Sequence, residues 1–459
     1  MFSRLRTFFL LLLLCIQLCS VAQLRPVYTF QQDDTLLKKV YYDQVMEKKN
    51  ALINPLDKKD AKALDYKKIY EDQYKDIGAL IKSTRTVTDA KANGYLQSVV
   101  QQIIASNEEL KSLKLRVLFT RDWWPNAYSM GDGTIAFNAG LFIYLDNEAE
   151  MVFALCHELA HYYLDHSNKA IRKYVETVNS ETYKAEIKRL SKEEYMVNQK
   201  FQELSKAYIF DSRRHNRDKE AEADQYAYRF MKKTGYDCNA IKTCLQLLDV
   251  IDDSLMHKPL VLTDAFNFPG YPFKKRWVQK ESAIFGQLSK DDSPLTQKEK
   301  DSLKTHPDCA KRIMLLEDSI NTGSGKKFIV SETMFRQLQQ EFPVEIMEHN
   351  YRQENLSRQL YYSLLLLQQQ QHVPVAVYDV ARMLNVFYNH QKNHTLGTKV
   401  GKEDRALPED YNLLLRMLDR LRLDEIAALS YHFCMKYRDQ MAGYSGFEEE
   451  MKKAEQLNK

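Results

Sequence analysis

Cysteine is scarce in this chain of 459 residues: there are seven, two of which, Cys15 and Cys19, fall within the first 22 positions. The other five, Cys156, Cys238, Cys244, Cys309 and Cys434, are too few and too scattered for a disulfide scaffold, and their odd number leaves at least one thiol free. Cys238 and Cys244 look like a pair. Six positions along a helix, however, would separate them by about 9 Å of rise and turn them to different faces. Long apolar runs are missing too. Beyond the first 22 residues the longest candidate is Tyr361 to Leu367, against the roughly 20 residues of a helix that spans a bilayer, so no transmembrane segment is expected there. One-sided charge is absent as well. Lys and Arg number 66 against 62 Asp and Glu, a net of +4, with no arginine-rich stripe and no glycine-rich phosphate loop, which excludes nucleic acid as an expected partner.

What is present is ordinary globular composition, 44% hydrophobic and 11% aromatic, enough for two or three domains with a real core. The first 22 residues read as an export signal. Arg4 and Arg6 give a basic start, Phe8 to Leu18 is apolar apart from Gln17, and Ser20-Val21-Ala22 supplies small residues before a cut at Gln23. Lipid anchoring is not expected, because Cys15 and Cys19 both follow leucine.

The rest divides by pattern. Residues 23–80 form an N-terminal helical region, and Tyr95, Val99, Ile103 and Ile104 continue the helical spacing. A small sheet follows: Leu115 to Phe119 alternates, and Ala127 to Met130 and Thr134 to Phe137 flank the turn signal Gly131-Asp132-Gly133, as in a hairpin. Helix returns at Asn147, an N-cap with Glu150 as its reciprocal partner, and carries Met151, Val152, Leu155 and Leu159 on one face. A charged helical arm spans 167–217, and a helix from Asp218 to Lys233 ends at the capping Gly235. Pro259, Pro269 and Pro272 mark an irregular connection between about 256 and 300, expected as a mobile loop near the site. A C-terminal helical domain occupies 326–459, with Leu360 to Leu367, Val377 to Phe387 and Tyr411 to Leu423 as its strongest segments. The expected fold is α+β: a mainly helical domain over 81–325 with a small sheet and hairpin, flanked by N-terminal helices and a C-terminal all-α domain.

The chemistry concentrates in His157-Glu158-Leu159-Ala160-His161. Histidines four apart on a helix stand about 40° apart and one turn along, so both rings reach one ion, and zinc accepts such ligands without redox chemistry of its own. Glu158 is placed to take a proton from water beside the ion and pass it on. Two surface histidines on an ordinary helix are the plain alternative. It is weakened because the motif lies among Phe153, Ala154, Leu155 and Leu159, where unpaired polar groups are costly. A third ligand should come from a second helix, and Glu220-Ala221-Glu222-Ala223-Asp224 offers carboxylates beside small residues. Glu220 is the choice for the metal. Asp224, one turn on, can accept the outer N–H of a ligand histidine.

These stretches, with Asn126-Ala127-Tyr128, Gly140-Leu141, Ala227 and Gly235-Tyr236-Asp237 in the same order, resemble the HtpX and CAAX prenyl protease family of zinc metallopeptidases, in its soluble secreted branch, over about residues 80 to 320. The resemblance implies a zincin-type peptidase domain with zinc on His157, His161 and Glu220, Glu158 as base and Asp224 as supporting carboxylate. Thr305-His306-Pro307 followed by Arg312-Ile313 is similar to a late motif whose histidine can approach the metal in latent forms, which makes His306 a candidate switch or oxyanion partner; capping a helix near Pro307 is the equal alternative. His166 also resembles a family position and is read as structural. Cys156 departs from the usual alanine.

The expected function is a zinc endopeptidase, with one zinc as cofactor, acting on unfolded or misassembled polypeptide in the periplasm. Its substrate is expected to pair along the hairpin near Thr134 to Asn138, and the C-terminal helices to meet a protein partner. A zinc-stabilised chaperone or assembly factor is the alternative.

Overall fold

The computed structural model describes residues 28–57, 59–190, 218–251, 258–279, 309–320, 325–405 and 407–459. The chain falls into two compact units: residues 31–257 with 296–349, and residues 258–295 with 350–459 and the N-terminal 30.

The first unit opens with helices α1 (Thr35–Ile53) and α2 (Ala61–Lys82), started by Asp34 and Asp60, whose carboxylates accept the first free N–H groups. A short strand β1 (Thr86–Val87) and helix α3 (Ala90–Ala105) lead to β2 (Arg116–Thr120), β3 (Ala127–Ser129) and β4 (Thr134–Asn138). The sheet order is β1-β2-β4-β3, with β4 parallel to β2 and antiparallel to β3. The expected hairpin forms around Gly131 and Gly133, at φ of 85° and 95°. A side chain at Gly133 would meet the Lys114 carbonyl at 2.4 Å, so the turn needs glycine for space as well as for conformation.

The expectation for the substrate strand fails here. Thr134 to Asn138 is paired on both sides and wholly buried, so it has no free edge. The edge strand on the β4 side of the sheet is β3. Asn126 and Met130 bond to β4 through Asn138 N–H to Asn126 O (3.0 Å) and Met130 N–H to Thr134 O (2.9 Å). By antiparallel alternation, Ala127 and Ser129 turn their backbone groups outward. The N-terminal helices hold this hairpin: Lys48 donates to Asp132 O (2.6 Å) and to the Tyr162 hydroxyl (3.0 Å), and Gln73 donates to Met130 O (2.6 Å).

Helix α4 (Glu148–Tyr163) is capped by Asn147, which accepts Glu150 N–H at 3.1 Å. The Glu150 carboxylate reaches back one position further than expected, to Asp146 N–H at 2.7 Å. From Glu148 to Ala160 every residue is buried, so α4 is a central helix with no solvent face there. Glu148 ties its first turn down, accepting the Tyr95 hydroxyl and the N–H groups of Ile329, Val330 and Ser331 at 2.8–3.1 Å. Phe119, Phe137, Phe142, Phe335 and Phe342 pack in edge-to-face and tilted contacts, with centroids 4.7–6.0 Å apart, and form the aromatic core of this unit. Helices α5 (His166–Val178) and α6 (Glu181–Leu190) follow; the rest of the charged arm lies outside the described residues. Helix α7 (218–232) ends in a turn through Gly235 at φ 82°, as expected, and is followed by α8 (Ala240–Ile251), α9 (Cys309–Ile320) and α10 (Glu332–Arg352).

The second unit is all helical: α11 (Leu356–Gln368), α12 (Val373–Lys392), α13 (Glu409–Arg420), α14 (Leu423–Tyr437) and α15 (Ser445–Leu457). The apolar run from Tyr411 to Leu423 is split, because Glu425 accepts Arg422 N–H (3.2 Å) and starts a new helix. Residues 258–279 of the irregular connection are folded into this unit, and 280–300 lie outside the described residues. Leu260 N–H donates to Asp410 (2.8 Å), and His432 stacks on both Phe268 and Tyr271. Cys156, Cys238, Cys244, Cys309 and Cys434 are all free. No helix among the described residues is long and apolar enough to cross a membrane.

Candidate metal centre

Helix α4 presents His157 and His161 to α7, and Glu220 faces them. His157 Nε2 and His161 Nε2 are 3.1 Å apart, and Glu220 oxygens lie 3.3 Å from the first and 3.4 Å from the second. A tetrahedral ion with ligand bonds near 2.05 Å would hold neighbouring donor atoms about 3.3 Å apart. The three side chains have that spacing, and they form the one group among the described residues that could hold a metal ion.

The outer nitrogens show why the inner ones need a cation. His157 Nδ1 lies 2.9 Å from Asp224, and His161 Nδ1 lies 2.9 Å from His166 Nδ1. With both outer nitrogens carrying protons, both Nε2 atoms are lone-pair acceptors facing each other and a carboxylate. Only a shared cation reconciles three acceptors at this distance, so the donor set fits a divalent ion with a preference for imidazole and carboxylate.

Charge around the cluster shows the same demand for a cation, which a proton on His157 meets when no ion is bound. Burial opposes the charged form of His157, but hydrogen bonds to Asp224 and Glu220 outweigh it and raise its pKa to about 10. Burial would push the Glu220 carboxyl up, yet its contacts with His157 and His161 hold it well below its usual range. Asp224 also stays low in spite of burial, because Arg312 clamps it with two bonds of 2.6 and 2.7 Å. Arg312 comes from α9, is 3% exposed, and its NH1 stands 3.3 Å from Glu220.

Glu158 reaches the sheet edge, where it accepts Ser129 N–H at 2.7 Å. Burial raises its pKa, with His157 and His161 pulling the other way. A buried carboxyl with a raised pKa, beside an open strand edge, suits proton transfer. Ser129 Oγ and Arg312 NH1 are buried here without a hydrogen-bond partner among the described residues. A small cavity lined by Ala127, Leu141, Phe153, Ala154, Leu248 and Arg312 adjoins His157 and Glu158.

Of the residues singled out in the sequence, His157, Glu158, His161, Glu220 and Asp224 meet at one place, and His306 lies outside the described residues. The sequence reading passed over Arg312 and Glu222. Arg312 was visible only as a companion of the His306 stretch, and Glu222 as the middle acid of its cluster. His166, read as structural, touches His161 directly and reaches Glu222 at 3.1 Å.

Paired helices that offer two imidazoles and a carboxylate to one ion, with a buried glutamate at the edge of a mixed sheet, define a metal-dependent hydrolase. Residues 90–320, half of the chain, match the model of Peptidase family M48, and the chain belongs to that family. That family is one of metallopeptidases. A stretch of 98 residues is 28% identical to a protein of Vibrio cholerae serotype O1 that bears the name "Putative beta-barrel assembly-enhancing protease". The match covers 21% of this chain and only 20% of that relative's length.

Proposed function

We propose that the chain is a zinc endopeptidase that cleaves unfolded or misassembled proteins as part of envelope quality control, with His157, His161 and Glu220 as metal ligands, Glu158 as general base and Asp224 as the carboxylate behind His157. The convergence of three acceptors at 3.1–3.4 Å carries this reading. A zinc ion held by His157, His161 and Glu220 would supply Lewis acidity and would make nearby water easier to deprotonate. Substrate lies extended along β3, the strand whose Ala127 and Ser129 backbone groups face outward. Backbone pairing of that kind selects flexible chains over folded ones. Glu158 takes the proton of the attacking water and returns it to the leaving amine, while Asp224 keeps the Nδ1 proton of His157 in place. Export is supported by the signal-like first 22 residues, and the periplasm by the relative's name.

Casein digestion by the purified mature protein tests the reading, with and without chelator and against Glu158→Gln. The wild type should cleave only with zinc bound, and Glu158→Gln should retain zinc while losing about 10²- to 10⁴-fold in rate. Equal cleavage by the variant would sink the mechanism. Zinc uptake without cleavage, in wild type and variant alike, would favour a zinc-stabilised chaperone.

A further inference from the structure

The two histidines of the cluster are supported in different ways, and the difference is visible in the hydrogen bonds behind them. His157 has a carboxylate directly at its outer nitrogen, Asp224 at 2.9 Å. His161 has another imidazole instead. Its Nε2 faces His157 and Glu220, so its Nδ1 is turned outward, 2.9 Å from Nδ1 of His166. His166 Nε2 in turn stands 3.1 Å from a carboxylate oxygen of Glu222. The His166 side chain is 5% exposed, and Glu222 is 48% exposed.

The proton positions in this line follow from chemistry. A neutral imidazole that offers Nε2 to a metal carries its proton on Nδ1, so His161 Nδ1–H is the donor at the 2.9 Å contact. His166 Nδ1 must then be the acceptor, and neutral His166 keeps its own proton on Nε2, where Glu222 accepts it. The opposite assignment fails at both ends. A proton on His166 Nδ1 would move the His161 proton to Nε2, among the converging ligand atoms, and would leave a His166 lone pair against the Glu222 carboxylate.

We propose that His166 and Glu222 are positioning residues of the metal centre, which fix the tautomer and ring orientation of His161 through an imidazole relay. This rests on the reading of His157, His161 and Glu220 as zinc ligands. The relay completes the use of the acidic cluster on α7: Glu220 faces the ion, Asp224 backs His157, and Glu222 backs His161 at one remove. It also makes the His161 side the one whose support ends at the protein surface, whereas Asp224 is buried under Arg312.

The test is zinc affinity of the full mature chain, measured by competition with a chromophoric chelator, together with the visible spectrum of the cobalt-substituted protein. His166→Ala should bind zinc about 10- to 100-fold more weakly and shift the cobalt bands. His166→Asn, whose amide oxygen can stand where Nδ1 accepts, should recover most of that loss, which mere refilling of space by an apolar residue such as leucine should not. Glu222→Ala, at a half-exposed position that does not endanger the fold, should weaken zinc by less than His166→Ala, and it decides the matter should His166→Ala fail to fold. Wild-type affinity and an unchanged cobalt spectrum in Glu222→Ala and His166→Asn alike, with no loss in His166→Ala or His166→Leu, would overturn the relay and leave the ligand set standing. Failure of the wild type itself to take up zinc would overturn the ligand set, and the relay with it.

Discussion

Both units of this molecule bury charge, and they do so to different ends. In the helical unit Asp379 is 1% exposed, and its oxygens accept from Gln359 (2.6 Å), Ser363 (2.5 Å) and Arg382. Asp410 accepts from the Tyr361 hydroxyl and Leu260 N–H, and Glu425 from Lys274, Arg276 and Arg422 N–H. Every one of these carboxylates is met by donors, so each cluster is complete in itself. In the peptidase unit His157, His161 and Glu220 turn acceptors toward acceptors. Burial of charge alone therefore marks nothing. A set of buried groups that cannot satisfy one another marks a place where something else must bind.

The strongest way to break that contrast is to take the ion away. Zinc at a thousand times its Kd stabilises the folded state by about 4 kcal/mol. Chelation should therefore lower the melting transition of the peptidase unit, and amides of α4 and α7 should exchange faster in hydrogen exchange. Those of α11 to α14 should be unaffected, because their buried charges need no ligand. An unchanged melting curve for the peptidase unit after complete zinc removal would show that the acceptors were reconciled in some other way.

A second comparison sets Asp224→Ala against Asp379→Ala. Both remove a buried carboxylate paired with arginine. Asp379→Ala removes the buried acceptor that Arg382, Ser363 and Gln359 share, for a destabilisation of about 3 kcal/mol in urea unfolding, with full zinc content. Asp224→Ala should lower zinc affinity about 10- to 100-fold, since His157 loses the group that fixes its tautomer. Zinc loss in Asp379→Ala, or tight zinc in Asp224→Ala, would erase the distinction between the two kinds of cluster.

How much of this could be read from the sequence follows from what each feature depends on. His157 and His161 were legible because helix geometry is local, and the hairpin because Gly131 and Gly133 are needed within four residues of chain. The acidic stretch at 220–224 declared carboxylates, but the roles within it depend on which ring each one meets after packing. Glu222 gains its partner only because His166 folds back beside His161, and Arg312 because α9 lies over Asp224. The wrong choice of edge strand has the same origin. Alternation along Thr134 to Asn138 shows a strand, while its burial on both sides comes from pairing with β2, a parallel and non-local contact that turn signals do not report.

The smallest effect expected is also the most selective. Glu425 is 1% exposed, and although burial works against its charge, Lys274, Arg422 N–H and Arg276 bring its pKa down to about 2. A carboxylate whose folded pKa lies below its unfolded value adds stability that is fully present above the unfolded value, near 4.5, and lost as pH falls through the folded one. The window is thus roughly pH 4.5 down to 2. Lys274 and Arg276 are more than a third exposed, so solvent screening should limit the contribution to about 1 kcal/mol. Glu425→Gln should flatten the acid limb of the stability curve for the helical unit by up to one proton, without altering zinc affinity at neutral pH. An acid limb as steep in the variant as in the wild type would place the acid sensitivity of that unit in a different carboxylate.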